Sequence, residues 1–153
     1  MTTRILFVCL GNICRSPTAE AVFAQRAAGL DVAVDSAGTG GWHVGSPPYG
    51  PMQQAALRRG YDMSDLRARQ FIPDDFARFD LIIAMDAQNV ADIEALRPGG
   101  SAVPVRLMTE FAPDAGARKV PDPYYTRDFD GALSLIEVAA EGLVRAVAKA
   151  DAP

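Results

Sequence analysis

Arg4-Ile5-Leu6-Phe7-Val8 runs directly into Cys9-Leu10-Gly11-Asn12-Ile13-Cys14-Arg15-Ser16-Pro17, and this junction decides the fold. Arg4 to Val8 reads as a buried parallel strand, a short β-branched and aromatic run without polar alternation. Gly11-Asn12 turns the chain. Ser16 can then cap a helix with Pro17 at its first position, and Thr18 to Ala28 carries good helix formers up to Gly29.

The same alternation continues outward. Val32-Ala33-Val34 is a second short strand, followed from Ala37 to Pro51 by a Gly- and Pro-rich loop that holds the only tryptophan, Trp42. Gly50-Pro51 opens a helix over Met52 to Arg59, and a helical turn is expected around Pro73 to Phe79. Leu81 to Met85 is a fully apolar third strand, after which Asp86 can cap a helix over Ala87 to Leu96. Val103 to Leu107 makes a fourth strand. A long polar loop over Met108 to Phe129 leads to a terminal helix, Gly131 to Ala150, with a broad apolar face. Strands alternating with helices predict an α/β fold with a parallel sheet covered on both faces and right-handed crossovers. Ligands of such sheets bind beyond the carboxyl ends of the strands, where Cys9 lies.

The chain has 153 residues, about half of them apolar, which suits one domain over 1–153. Its two cysteines, Cys9 and Cys14, are no disulfide framework, and a reducing cytoplasm is the expected location. Ile5 to Val8 is too short for a signal-peptide core, and no stretch approaches the ~20 apolar residues of a membrane span. A net charge of −4 argues against nucleic acid as a partner.

Chemically, the Cys9 to Ser16 loop can hold a dianion. Backbone N–H groups of a tight loop converge at the start of a helix, whose dipole favours negative charge, and Arg15 adds a planar fork for two oxygens. The same field favours a thiolate at Cys9, and so a nucleophile aimed at phosphorus. Ser16 can donate to the Cys9 sulfur, serve only as a helix cap, or do both. Asn12 suits the left-handed backbone that curls such a loop. A free cysteine is more often a small buried hydrophobe, but packing does not require Cys, Gly, Asn, Arg, Ser and Pro together at a strand-to-helix junction. A Walker A loop is excluded, since no Gly-Lys-Ser/Thr is present. For a general acid, Asp122 in Pro121-Asp122-Pro123-Tyr124-Tyr125 is the best candidate; a turn aspartate between prolines is the alternative.

With these residues in view, the chain resembles the low-molecular-weight protein-tyrosine phosphatases over almost its whole length. Val8 to Pro17 is similar to the family's phosphate loop, Asp35 to Thr39 and Trp42 to Gly45 to its second-strand and wall segments, and Asp122 to Tyr125 to its acid loop. The resemblance implies an α/β three-layer sandwich with a four-stranded parallel sheet of order 2-1-3-4. It implies Cys9 as nucleophile, Arg15 as phosphate clamp and Asp122 as acid and base. The loop residues Leu10, Gly11, Asn12, Ile13, Cys14 and Ser16, with Ser36, would bind phosphate or support the loop, and Trp42, Tyr124 and Tyr125 would wall the slot. Tyrosine-phosphorylated proteins would be the partners, with no metal and no cofactor.

Two departures stand out. Leu66 occupies the place of a histidine that commonly braces the loop asparagine, so Asn12 must find another partner. Tyr49-Gly50-Pro51 replaces an Asp-Pro-Arg sequence. Both are expected to alter loop rigidity or rate. Cys14 is open to two readings, a filler of the loop interior or a redox partner of Cys9. Arg67 and Arg69 are either solvated or a basic lip for phosphoproteins, and the lone His43 completes no zinc site. Rival functions are a phosphate-binding module without catalysis and an arsenate reductase, which would need further cysteines.

Overall fold

The computed structural model describes residues 1–151, and positions 152 and 153 of the expected domain lie outside them. Strands β1 (Thr3–Cys9), β2 (Val32–Gly38), β3 (Leu81–Ala84) and β4 (Val105–Leu107) form one sheet in the expected order β2-β1-β3-β4. Every pairing is parallel. β1 is central because it can be buried on both faces. Ile5, Phe7 and Cys9 join the larger core under helices α1 (Arg15–Arg26), α2 (Gly50–Arg58) and α6 (Phe129–Asp151). Leu6 and Val8 face the smaller core with Phe71, Phe76, Ile82 and Ile93, on the side of α3 (Asp75–Arg78) and α4 (Ala87–Glu94). The result is the three-layer sandwich expected. No helix among the described residues is long and apolar enough to cross a membrane.

Local boundaries differ in instructive ways. β2 continues through Asp35-Ser36-Ala37-Gly38, because Leu6 to Cys9 of β1 pair residue by residue with those four. The polar segment after β4 contains 3₁₀ turns at Met108–Phe111 and Pro113–Ala115 and a short helix, α5 (Pro123–Thr126), capped by Asp122 through the Tyr124 N–H. Asp86 caps α4 as expected, accepting from the Asn89 N–H at 2.8 Å. Ser16 is not the cap of α1. The helix begins at Arg15, Cys14 stands at its cap position, and no side chain bonds its first amides. Pro17 is tolerated in this first turn because the N–H it lacks would have no partner within the helix.

The register sets the site. β1 and β2 end side by side, with Cys9 opposite Gly38, and the neighbouring β3 ends at Ala84, just before Asp86. The loop leaving Cys9 crosses directly over Gly38, where a Cβ would stand 2.8 Å from the Leu10 carbonyl oxygen and 3.1 Å from the Gly11 carbonyl carbon. These are backbone atoms and cannot swing away. Gly38→Ala is therefore expected to cost about 1–3 kcal/mol by overpacking, read as a lowered urea midpoint; an unchanged midpoint would contradict the close approach.

Candidate active site

The loop between β1 and α1 closes on its own side chains. Asn12 takes a φ of 57°, the left-handed conformation that its residue type tolerates. Its amide anchors that turn: Nδ2 donates to Ser16 Oγ at 2.8 Å and to Ser36 Oγ at 3.0 Å. Asn12 Oδ1 accepts from the Arg69 backbone N–H at 3.0 Å. A main-chain amide thus supplies the brace that Leu66 cannot. Arg69 is held in place by its guanidinium, which pairs with the fully buried Asp75 and with Asp35. Of the two readings for Arg67 and Arg69, solvated or a basic lip, neither fits Arg69, which pairs with Asp35 and Asp75; Arg67 is exposed and donates to the Ser64 and Leu66 carbonyls.

The Asn12 network also aims a proton. Because Asn12 donates to Ser16 Oγ, the serine hydrogen is free for another acceptor; the Cys9 sulfur lies 3.0 Å away and the Ala37 carbonyl, at 3.4 Å, is the more distant choice. The Asn12 backbone N–H lies 3.3 Å from the same sulfur. Ser16 therefore faces the thiol with its hydroxyl. Cys14 is buried beside them, and burial, reinforced by Cys9 and Asp122 against Arg15 and Arg127, pushes its thiol up to about 12. It is held as a thiol, the uncharged form suited to a packed loop interior.

Arg15 is 3% exposed, and a buried guanidinium needs partners. Nη1 donates to Asp86 Oδ2 at 2.7 Å and to the Val120 carbonyl at 3.0 Å, while Nη2 stands 3.5 Å from Asp122 Oδ2. Burial works against its charge, but Cys9, Asp86 and Asp122 outweigh it and raise its pKa above the ordinary value. Asp86 was legible only as a helix cap. One of its oxygens caps α4 and the other orients Arg15. The available signal was its position at the end of the strand beside β1.

Cys9, Leu10, Gly11, Ile13, Cys14, Arg15, Trp42, His43, Asp122, Tyr124 and Tyr125 together line a slot of about 270 Å³. Trp42 is 74% exposed, so it is a wall and not a core residue. Its ring lies on Gly40, where any Cβ would overlap it. Tyr124 and Tyr125 stand edge to face with centroids 5.4 Å apart, and both border the slot. Asn12, Ser16 and Ser36 do not line it; they act from behind the loop.

Sequence reasoning also missed Glu20, one helical turn beyond Ser16 on α1. Ser36 Oγ donates to Glu20 Oε1 at 2.6 Å, so a carboxylate ends the chain Cys9, Ser16, Asn12, Ser36. Burial pushes the Glu20 carboxyl up to about 7; the Ser36 hydroxyl pulls it down, Asp35 adds to the rise and Arg69 offsets it. A raised carboxyl means that folding prefers the protonated form. That stabilisation is complete below the ordinary value of 4.5 and is lost as pH rises through about 7. The full shift is worth roughly 3 kcal/mol, less the part screened at its solvent-facing side. Glu20→Gln keeps an acceptor for Ser36 and cannot ionise. Its unfolding free energy should therefore gain on the wild type between pH 5 and pH 8, and parallel curves would contradict this assignment.

Comparison with known proteins agrees with the geometry. The family profile described as low molecular weight phosphotyrosine protein phosphatase matches residues 4–152. A low molecular weight protein-tyrosine-phosphatase of Streptomyces coelicolor is 47% identical over 157 residues, covering 96% of this chain and 94% of its own. The crystal structure of YfkJ from Bacillus subtilis superimposes with a TM-score of 0.92 at 37% identity, covering 99% of this chain and 98% of its own. Vibrio vulnificus Wzb, solved in complex with benzylphosphonate, gives a TM-score of 0.83 at 26% identity, with 94% and 98% covered. With a matching sheet order and these similarities along nearly its full length, the chain belongs to the low molecular weight phosphotyrosine protein phosphatase family.

Proposed function

We propose that this protein, as a single phosphatase domain, hydrolyses phosphotyrosine in proteins, and aryl phosphates, through a phosphocysteine on Cys9. One observation carries the reading: Cys9, Arg15 and Asp122 line the same aromatic-walled slot. The uncapped amides of α1 and the Arg15 fork would cradle the phosphoryl oxygens. The Cys9 thiolate attacks phosphorus, the P–O bond to the phenol breaks, and Asp122 gives its proton to the departing oxygen. Water then attacks the phosphocysteine, Asp122 takes its proton, and the P–S bond breaks to release inorganic phosphate. Ser16 donates to the sulfur while it carries charge, before attack and on departure.

The aromatic walls support the choice of tyrosine. With a phosphoryl group held by the Cys9 loop and Arg15, a phenyl ring would lie against Trp42, Tyr124 and Tyr125, contacts that phosphoserine has no ring to make. The benzylphosphonate bound by the Vibrio vulnificus relative combines the same two elements, an aryl ring and a phosphorus oxyanion. Both cysteines are free and buried, and a reducing cytoplasm is the setting in which such a nucleophile persists. A module that only bound phosphate would have no use for a carboxylate at Asp122. An arsenate reductase would need a third cysteine, and the chain has two.

Turnover of phosphotyrosine in the presence of a chelator tests this. Cys9→Ser should abolish it, and Asp122→Asn should lower kcat/KM by about 10²-fold or more, the usual worth of a positioned general acid. Full activity in Cys9→Ser would end the phosphocysteine mechanism.

A further inference from the structure

Tyr49 and Arg127 do not line the slot, yet they join its two loops. The Tyr49 N–H donates to the Ile13 carbonyl at 2.8 Å, which ties Tyr49 to the phosphate loop. Its ring packs against Tyr124, with centroids 5.2 Å apart, and its hydroxyl accepts from Arg127 Nη1 at 3.0 Å. The Arg127 guanidinium also lies over the rings of Tyr49 and Phe129, at 5.3 Å and 5.1 Å, and approaches the Tyr124 carbonyl at 3.4 Å.

On the other side, Arg127 closes α5. Its N–H donates to the Pro123 carbonyl at 2.8 Å, with a φ of 63°, a conformation glycine takes without strain and arginine does not. That an arginine stands there points to a use for its side chain. α5 has only four residues, too few to hold a shape alone. Asp122 itself has slight support: one oxygen accepts from the Tyr124 N–H at 3.1 Å, and the other lies 3.5 Å from Arg15. Because Asp122 is the cap of α5, the setting of its carboxyl depends on what fixes that helix. Tyr49 and Arg127 make such contacts.

We propose that Tyr49 and Arg127 form a clamp that holds α5 against the phosphate loop and so positions the Asp122 carboxyl to protonate the leaving phenol. They are positioning residues and touch neither substrate nor sulfur. The inference rests on Asp122 being the acid. It predicts a dependence on the leaving group, because a loosened acid harms only substrates that need its proton.

The experiment measures kcat/KM for phosphotyrosine, whose phenol has a pKa of about 10, and for 2,4-dinitrophenyl phosphate, whose phenoxide leaves without help. Arg127→Met keeps an apolar chain over the two rings but loses the charge and the hydrogen bonds, and Tyr49→Phe keeps the ring and loses only the hydroxyl. Roughly tenfold loss on phosphotyrosine is expected for Arg127→Met and about threefold for Tyr49→Phe, fractions of the 10²–10⁴-fold worth of a positioned acid. The dinitrophenyl substrate should stay within about twofold. In an Asp122→Asn background the Arg127→Met loss should vanish, since no acid remains to be positioned. Equal losses on both substrates would overturn the clamp, because they would report a general structural or charge effect. So would a loss that persists in the Asp122→Asn background. If Asp122→Asn itself treated both substrates alike, the acid assignment would fail, and the clamp with it.

Discussion

A buried guanidinium governs how this molecule is put together. Arg15 is almost fully enclosed, and an unpaired charge in that position would cost several kcal/mol. Its partners come from different parts of the chain: Asp86 follows β3, while the Val120 carbonyl and Asp122 come from the long segment after β4. Satisfying one side chain thus draws the ends of the central strands and the acid loop into a single wall. The charge that would suit a phosphate dianion is the same charge that draws these segments together.

Around that centre, the phosphate loop depends on side-chain hydrogen bonds as much as on its backbone. Asn12 holds the strained turn, Ser36 and the Arg69 amide hold Asn12, and Glu20 holds Ser36. Such networks have value only when every member is satisfied. Here the Leu66 side chain offers no hydrogen bond; the Arg69 main-chain amide braces Asn12, and the half-buried Glu20 carboxyl holds Ser36. The consequence is a hydrogen-bond chain that runs from the Cys9 sulfur behind the loop to Glu20.

The wall residues obey a different logic. Trp42 and Tyr125 are largely exposed, which for large aromatic rings makes sense beside a substrate ring. Their placement needs rigid supports, and these are small or remote: Gly40 beneath Trp42, Tyr49 and Arg127 behind Tyr124.

Much of this could be read from residues alone. The apolar run into Cys9, the Gly-Asn turn and the Arg-Ser-Pro helix start carry local signals, since strand burial, turn conformation and helix initiation depend on neighbours in sequence. The four strands and most helices followed from the same short-range rules. What those rules misjudged was set by partners distant in sequence. β2 runs on to Gly38 because β1 pairs with it there, and Ser16 leaves its capping role because Asn12 and Cys9 together engage its hydroxyl. Arg69 turns inward because Asp75, buried at the start of α3, needs a cation. Asp86, Glu20, Tyr49 and Arg127 look ordinary in sequence because a carboxylate or an aromatic ring acquires its role from what faces it. By itself the sequence determined the strand-loop-helix frame that carries Cys9 and Arg15. Only the tertiary structure decided how those two residues are braced, since hydrogen-bond partners and buried charges are matched in space and not along the chain.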